Sequence, residues 1–267
     1  MKITFSNLNK INVEAFEDIF LLDNYLDIIA VDCSNMNLKE LPNDLIYLIN
    51  LRTLICFNNE LSSLPDNLKV ETLILDYNKF VEIPIIKSLK KLSLSCNNIK
   101  VISANISELE NLKVLILFNN KISQMSKNIG ALLNLEKLVL VNNELASVPN
   151  SITNLINLKR LELCNNNIKI LPKKINKMKN LEDLRIDKNQ LMYLPKEIGK
   201  LENIKVLFFN YNKIKFIPKS FNKLENLKFI SLLNNPIYIE NELLKDKIIF
   251  DVTKLCSFVY SNTLIEN

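Results

Sequence analysis

Between residues 28 and 249, apolar residues follow one repeating pattern. Leu112, Leu115 and Leu117 are followed by Asn120, and the same spacing, L-x-x-L-x-L-x-x-N, begins again 23 residues later at Leu135. Apolar residues that alternate with polar ones predict a short strand with one buried face. The later spacing of three, I-x-x-L, predicts a helical or 3₁₀ turn. Self-similarity at such a period indicates coils that stack on one another.

Ten units of this kind tile residues 28–249. They start at residues 28, 51, 70, 89, 112, 135, 158, 181, 204 and 227. The units at 51–69 and 70–88 have 19 residues and lack the I-x-x-L turn. We expect a thin, nearly extended outer segment there.

An asparagine follows the predicted strand in nine units. It stands where the chain must turn, and a carboxamide both donates and accepts, so it can satisfy buried backbone groups of its own and neighbouring coils. The first unit has Met36 there, which cannot do so. The residues of this predicted asparagine ladder are Asn59, Asn78, Asn97, Asn120, Asn143, Asn166, Asn189, Asn212 and Asn235.

The fullest unit, residues 181–203, ends in L-P-x-x-I-x-x-L-x-N. With the strand motif, this resembles the leucine-rich repeat proteins, and its form resembles their intracellular Ras-group members. The resemblance implies an α/β repeat solenoid, a horseshoe with a parallel sheet on its concave face and short helical, 3₁₀ or extended convex segments. It also implies protein binding on the concave face.

A solenoid's end units need covers over their apolar edges. Residues 1–27 should form an N-terminal helical cap, because Val13, Phe16, Ile19 and Phe20 alternate with acidic residues as in an amphipathic helix. Residues 250–267 should form the C-terminal cap, continuing apolar positions that begin at Leu243.

Composition narrows the chemistry. The chain has no histidine, which excludes imidazole catalysis and histidine-ligated metal, and its five cysteines are scattered without a CxxC pair. We therefore expect no cofactor, no metal and a cytoplasmic, intracellular location. The net charge of +5 is mild. The basic run from Lys173 to Lys179 contains no aromatic residue, so we expect no nucleic-acid binding. We also expect no membrane binding, because the sequence has no apolar run of about 18 residues and its amphipathic ends should serve as caps.

Strand side chains alternate, so the residues two, four and six places after each unit start should face the concave side. Apolar groups there, bordered by a charged stretch, favour a partner-binding surface. The alternatives are that these residues serve sheet propensity or that a terminal segment covers them. The predicted contact residues are Ile55, Phe57, Ile74, Tyr77, Val114, Ile116, Phe118, Val139, Val141, Arg160, Glu162, Arg185, Asp187, Phe208 and Phe229.

The charged stretch also admits an enzymatic interpretation, with Glu162, Asp183 and Asp187 as acids. Because Arg160 and Arg185 are interleaved, cross-strand ion pairs on a solvated face explain it better. Cys164 is the best candidate for a reactive thiol, although we favour the interpretation as an ordinary surface cysteine.

The sequence thus predicts a non-enzymatic, monomeric module that binds a protein or peptide, as an intracellular scaffold or signalling regulator. The first alternative is a pathogen or viral effector that binds a host protein. The second is an enzyme, for which no residues pair a nucleophile with a base.

Overall fold

The computed structural model describes residues 1–7 and 9–237. Its main feature is one sheet of 12 strands, in the order β14-β13-β12-β11-β10-β8-β6-β5-β4-β3-β1-β2. The strands are β1 (Lys2–Phe5), β2 (Lys10–Asn12), β3 (Ile28–Asp32), β4 (Thr53–Ile55), β5 (Thr72–Ile74), β6 (Lys91–Ser93), β7 (Val101–Ile102), β8 (Val114–Ile116), β9 (Gln124–Met125), β10 (Lys137–Val139), β11 (Arg160–Glu162), β12 (Asp183–Arg185), β13 (Val206–Phe208) and β14 (Phe229–Ser231).

From β3 to β14 the main sheet is parallel, and equivalent residues of successive units lie side by side, as in Leu138 beside Leu161. The inward leucines have almost no exposed surface, so they form the core between the sheet and the convex side. β7 and β9 form a separate parallel pair on the way out of two units. This arrangement confirms the predicted leucine-rich-repeat solenoid.

The convex side carries short 3₁₀ helices, each one turn or slightly more. They are Asn43–Tyr47, Ala104–Glu108, Lys127–Ala131, Asn150–Asn154, Ile175–Lys177, Lys196–Lys200 and Lys219–Lys223. No helix lies between β4 and β6, as expected for the two 19-residue units. The missing turns leave an open convex groove of about 810 Å³ beside Pro65 and Pro84.

The only two glycines of the chain occupy equivalent positions in these 3₁₀ helices. A Cβ on Gly130 would overlap the carbonyl of Ser151 in the next unit, and one on Gly199 would overlap that of Ser220. Ser151 and Ser220 in turn donate back to the carbonyls of Lys127 and Lys196. Each glycine therefore allows two convex turns to touch.

The N-terminal cap differs from the predicted amphipathic helix. β1 and β2 form an antiparallel hairpin, and β1 pairs antiparallel with β3, so the sheet itself continues past the first unit. Ile3 and Phe5 are buried by this pairing. Only Glu17–Phe20 is α-helical (α1), followed by a 3₁₀ turn at Tyr25–Asp27. The helical-cap prediction was wrong because residues 2–5 form a strand that pairs directly with the otherwise open edge of β3. The predicted C-terminal cap, 250–267, lies outside the described residues.

Candidate functional site

The turn asparagines hold the concave strands in place. Asn143 is typical: its Oδ1 accepts from the Ile122 amide at 3.0 Å, and its Nδ2 donates to the Leu117 carbonyl of the preceding unit at 2.9 Å. Nδ2 also lies within 3.3 Å of the carbonyls of Leu140 and Val141. Asn59 performs the same task toward the first unit, where its Oδ1 accepts from the Met36 amide. The asparagines thus bond as the sequence suggests.

A second asparagine row, missed by the sequence analysis, lies on the exposed rim one residue earlier. Asn142 donates to Asn119, and Asn165 donates to Asn142. All ten units have positive φ at this position, between 53° and 60°, a region that asparagine tolerates better than most residues. The signal was present in the Asn-Asn doublets, such as Asn119-Asn120. Tyr77, Cys96, Lys188 and Tyr211 interrupt the row.

A third row lies at the end of the 23-residue units, just before the next strand. Asn134, Asn157, Asn180 and Asn203 each donate to a carbonyl of the preceding unit at 2.9 Å. Together the rows tie neighbouring coils at separate points around the unit, although the second row is interrupted and the third is missing from the two 19-residue units. A binding surface built on them is therefore preformed.

The middle of the concave face is an apolar cluster, which we call the central concave cluster. Ile116, Val139 and Val141 pack together on β8 and β10, with Val114, Phe118 and Cys164 against them. Val139 retains 1% of its surface and Val141 5%. The sequence predicted partner contacts on the concave side for Val114, Ile116, Phe118, Val139 and Val141. The structure places Ile116, Val139 and Val141 in the floor, while Phe118 and Val114 are partly exposed.

Aromatic pairs lie to either side. Near the N-terminal end, the rings of Phe57 and Tyr77 meet edge to face with centroids 5.2 Å apart, beside partly exposed Ile55 and Ile74. Near the C-terminal end, Phe208 and Phe229 pack with centroids 4.8 Å apart. Phe208 is buried, so Phe229 is the more accessible member.

Between the cluster and the C-terminal aromatic pair lies the charged band: Arg160, Glu162, Asp183, Arg185 and Asp187. Arg160 Nε lies 2.9 Å from Glu162 Oε1 and 3.3 Å from Asp183 Oδ2. Arg185 binds Asp183 through two nitrogens, Nε at 2.9 Å and one terminal nitrogen at 3.0 Å. The expectation of cross-strand pairs holds only for Arg160 and Asp183, since the other two pairs lie within one strand.

The sequence analysis expected a solvated charged face, but Glu162 is buried. It keeps 1% of its surface, because Arg160 and the central concave cluster cover it. Arg185 also lies 5.1 Å from the centre of the Phe208 ring, a cation–π distance. Two arginines thus balance Glu162 and Asp183, and these acids are engaged structurally.

Asp187 is a bridge between units. Its Oδ1 accepts from the Asn210 amide at 2.8 Å, and the Cys164 thiol donates to its Oδ2 at 3.4 Å. Burial raises the pKa of the Asp187 carboxyl. Burial and the charge of Asp187 raise the pKa of the Cys164 thiol well above its ordinary value. The Cys164 thiol is therefore less acidic than an ordinary cysteine, which does not favour the reactive-nucleophile interpretation.

The same bridge recurs where the unit allows it. Asp76 Oδ1 accepts from Ser93 Oγ and the Ser95 amide, both at 2.6 Å, and burial raises its pKa. Asn210 Oδ1 accepts from Ser231 Oγ and the Leu233 amide. Side chains six places after a unit start can therefore stabilise the repeat instead of contacting a ligand. Among the described residues, no cluster of histidine, cysteine or acidic side chains is suited to a metal ion.

A stack of short parallel strands, convex 3₁₀ turns and buried turn asparagines defines a repeat solenoid with a rigid concave face. Residues 78–191 match the family described as leucine-rich repeat region, and residues 179–237 match leucine rich repeat. The chain belongs to the leucine-rich repeat proteins. The match does not extend to the Ras group. No curated protein sequence matches the chain significantly.

Solved structures of plant receptors are similar to the chain. The Arabidopsis receptor kinase HAESA, in complex with the peptide hormone IDA and the co-receptor SERK1, is 25% identical with a TM-score of 0.70, over 81% of this chain and 40% of HAESA. The ectodomain of GASSHO1/SCHENGEN3 from Arabidopsis thaliana is 28% identical with a TM-score of 0.66, over 79% of this chain and 30% of its own. The plant peptide hormone receptor RGFR1, in complex with RGF2, is 27% identical, with a TM-score of 0.66 over 74% and 34%. The chain thus spans well under half the length of these proteins.

Proposed function

We propose that the chain is a non-enzymatic module that binds an extended protein or peptide segment on its concave face. The observation that carries the proposal is the row of apolar and aromatic side chains that crosses this face. Its floor is packed, and its exposed members, such as Phe57, Tyr77, Phe118 and Phe229, lie on or just after strands that the buried turn asparagines hold in place. Little order need be gained on binding, which favours affinity.

The exposed members are the contacts that we expect to matter most. Aromatic anchors in well-packed surroundings dominate many interfaces. Phe118 rests against Ile116, Val139 and Val141, so a partner group that covers it would meet a continuous apolar floor. Val139 and Glu162, which the sequence also nominated, support this surface from beneath.

The charged band should orient the partner. Arg160 is the more exposed of the two arginines, with 36% of its side chain exposed. Because Glu162 and Asp183 balance the band internally, it offers a patterned polar contact with little net charge. Such contacts select and align partners more than they add affinity.

The plant receptors that resemble this chain support a peptide or protein ligand. RGFR1 is seen with RGF2, and HAESA with a peptide hormone and a co-receptor. Catalysis has no support in the geometry, since the acids of the band pair with arginines and Cys164 stays protonated.

We further propose that the module works in a reducing, intracellular compartment, as a scaffold or signalling regulator. The four described cysteines are free, and the thiol of Cys33 donates to Cys56 at 3.1 Å inside the core. This thiol contact raises the pKa of Cys56 well above its ordinary value, so both sulfurs fit a reduced core. Loss of ligand binding under reducing conditions would contradict this proposal.

A displayed peptide library selected on the immobilised chain tests the binding proposal. We expect enriched peptides to lose at least about thirtyfold in affinity for Phe118→Asp, since a hot-spot residue contributes about 2 kcal/mol or more. The matched control is Leu133→Asp, which places the same charge on a convex side chain that is 52% exposed. Peptides that bind Phe118→Asp as well as the wild type, or that lose binding only in Leu133→Asp, would overturn the concave-face proposal.

A further inference from the structure

The flank by which the chain leaves the sheet, which we call the trailing flank, exposes apolar side chains in three consecutive units. Ile170, Tyr193 and Phe216 occupy the same position of units 158–180, 181–203 and 204–226, and Met192 lies next to Tyr193. Their exposed fractions are 45%, 47%, 61% and, for Met192, 52%. All four belong to the exposed large apolar side chains of the described residues.

Backbone hydrogen bonds hold these positions side by side. The Gln190 amide donates to the Ile168 carbonyl at 2.9 Å, and the Lys213 amide donates to the Leu191 carbonyl at 2.8 Å. Because these bonds lie two to three residues before the apolar positions, they fix the three segments in register. Residues that are 23 apart in sequence therefore form one continuous row.

Lysines surround this row. Segments 167–174, 190–197 and 213–220 contain seven lysines and a single acidic residue, Glu197. Within the described part of the chain, none of these lysines forms a salt bridge. The exposed lysines nearest in sequence to the row are Lys169, Lys173, Lys196, Lys213, Lys215 and Lys219.

Lysines on the opposite, leading flank, just before each strand, are arranged differently. Lys159 lies 2.7 Å from Glu136, and Lys205 lies 2.6 Å from Glu182, so their charges are compensated within the protein. The trailing flank of earlier units also differs. Segment 144–151 has one acid and no lysine. Units 158–180, 181–203 and 204–226 therefore combine exposed apolar groups with lysines that lack a salt bridge, a combination that segment 144–151 does not have.

We propose that this patch, formed by Ile170, Met192, Tyr193, Phe216 and the lysines around them, binds the surface of an anionic membrane. Apolar and aromatic side chains that protrude from a surface enter the headgroup region, and tyrosine prefers that interface. Lysines beside them meet the negative potential of anionic lipids.

Two other occupants fit the patch less well. Only two of the four side chains, Tyr193 and Phe216, offer a flat ring on which a nucleic-acid base can stack, whereas all four can enter a lipid headgroup region. We would expect an acidic peptide to bind in a hollow. These side chains instead protrude, with about half of their surface exposed. The sequence analysis predicted no membrane contact, and no single segment contains the patch. It is assembled only when three units stack.

Vesicle co-sedimentation of the full chain tests this inference. The probes are phosphatidylcholine vesicles with and without about 30% phosphatidylserine, with polyglutamate and a single-stranded DNA oligonucleotide as competitors. We expect binding only to the phosphatidylserine vesicles, and a loss when the salt concentration rises. The double variant Tyr193→Ser, Phe216→Ser should bind at least about tenfold more weakly, because it removes the inserted rings.

A charge-matched pair of variants separates a local patch from overall charge. Changing Lys196, Lys213, Lys215 and Lys219 to Gln should weaken vesicle binding by about tenfold or more. Changing Lys113, Lys159, Lys205 and Lys228 to Gln removes the same charge from the leading flank and should leave binding within about twofold. No binding to anionic vesicles, equal losses in the two sets, or a preference for polyglutamate or DNA over vesicles would each overturn the inference. Circular dichroism checks that every variant is folded.

Discussion

The central concave cluster and the charged band occupy identical positions of neighbouring units, yet one is apolar and the other ionic. Val139 and Glu162 show this most directly, because they pair in register across β10 and β11 and each keeps 1% of its surface. The backbone under both is the same, with the same buried asparagines. The solenoid therefore fixes where a side chain lies, and the identity of that residue alone decides what the position contributes.

The largest expected effect tests whether the two regions share one scaffold. Asn143→Ala, under the cluster, and Asn189→Ala, under the band, should each lower the free energy of unfolding by about 2–4 kcal/mol, since each leaves a buried amide and carbonyls unpaired. The two asparagines make equivalent bonds, Asn143 to Ile122 and Leu117, and Asn189 to Ile168 and Leu163. Urea denaturation followed by circular dichroism measures both.

The outer asparagine Asn134 is the control for this pair. It is exposed and donates to one carbonyl, so Asn134→Ala should lower the free energy of unfolding by only about 0.5–1.5 kcal/mol. Values for Asn143→Ala and Asn189→Ala that differ by more than about 2 kcal/mol would mean that the two regions do not share equal support.

The next effect is expected at the boundary between the regions. Glu162→Ala should destabilise the chain by about 2–3 kcal/mol, because it leaves a cavity and removes one partner of Arg160. Glu162→Val should be nearly neutral, since valine extends the central concave cluster and Arg160 keeps Asp183 at 3.3 Å. Denaturant midpoints distinguish the two. A Glu162→Val protein as unstable as Glu162→Ala would show that the buried carboxylate itself stabilises the fold.

A smaller effect concerns pH. Burial raises the pKa of Asp187, so the folded state holds its proton more tightly than the unfolded state does. This contribution to stability is present below the ordinary pKa of about 3.8 and is lost as the pH rises through the raised pKa. Asp187→Asn, whose amide oxygen can still accept from Asn210, should be equal to or more stable than the wild type at neutral pH and should lose that advantage in acid.

Glu136 provides the control of opposite sign. A hydrogen bond from Lys159 lowers the pKa of Glu136, so its contribution is present at neutral pH and is lost as the pH falls. Glu136→Gln should therefore be slightly less stable than the wild type at neutral pH and equal to it in acid. Unfolding midpoints across pH 3–7 that move in the same direction for both variants would contradict the assignment of Asp187 as a carboxyl strained by burial.

Much of the fold follows from the repeat. The period places every strand from β3 to β14 of the main sheet, and the missing I-x-x-L turn anticipates the thin convex side of the two short units. The N-terminal hairpin was missed because residues 2–5 are too short to distinguish a strand from a loop by alternation alone. The hairpin forms because the edge of β3 would otherwise be unpaired, and that edge exists only in the folded chain.

For the candidate site, the sequence predicted which side chains point to the concave face better than it predicted how exposed they are. The alternation shows that Val139, Glu162 and Phe208 point to the concave side, but they are covered by residues of adjacent units. Such cover depends on which side chains lie side by side across strands about 4.8 Å apart. The bridging role of Asp187 and the trailing-flank patch are likewise properties of stacked units, so no single unit reveals them.

Site-specific photo-cross-linking tests the central claim most directly. A photoreactive phenylalanine replaces Phe118 on the concave face in one protein and Leu133 on the convex side in another, and both are irradiated in cells. We predict discrete protein or peptide adducts from position 118 that are absent from position 133. Adducts formed only from position 133, or none from position 118 while a partner remains bound, would contradict binding on the concave face.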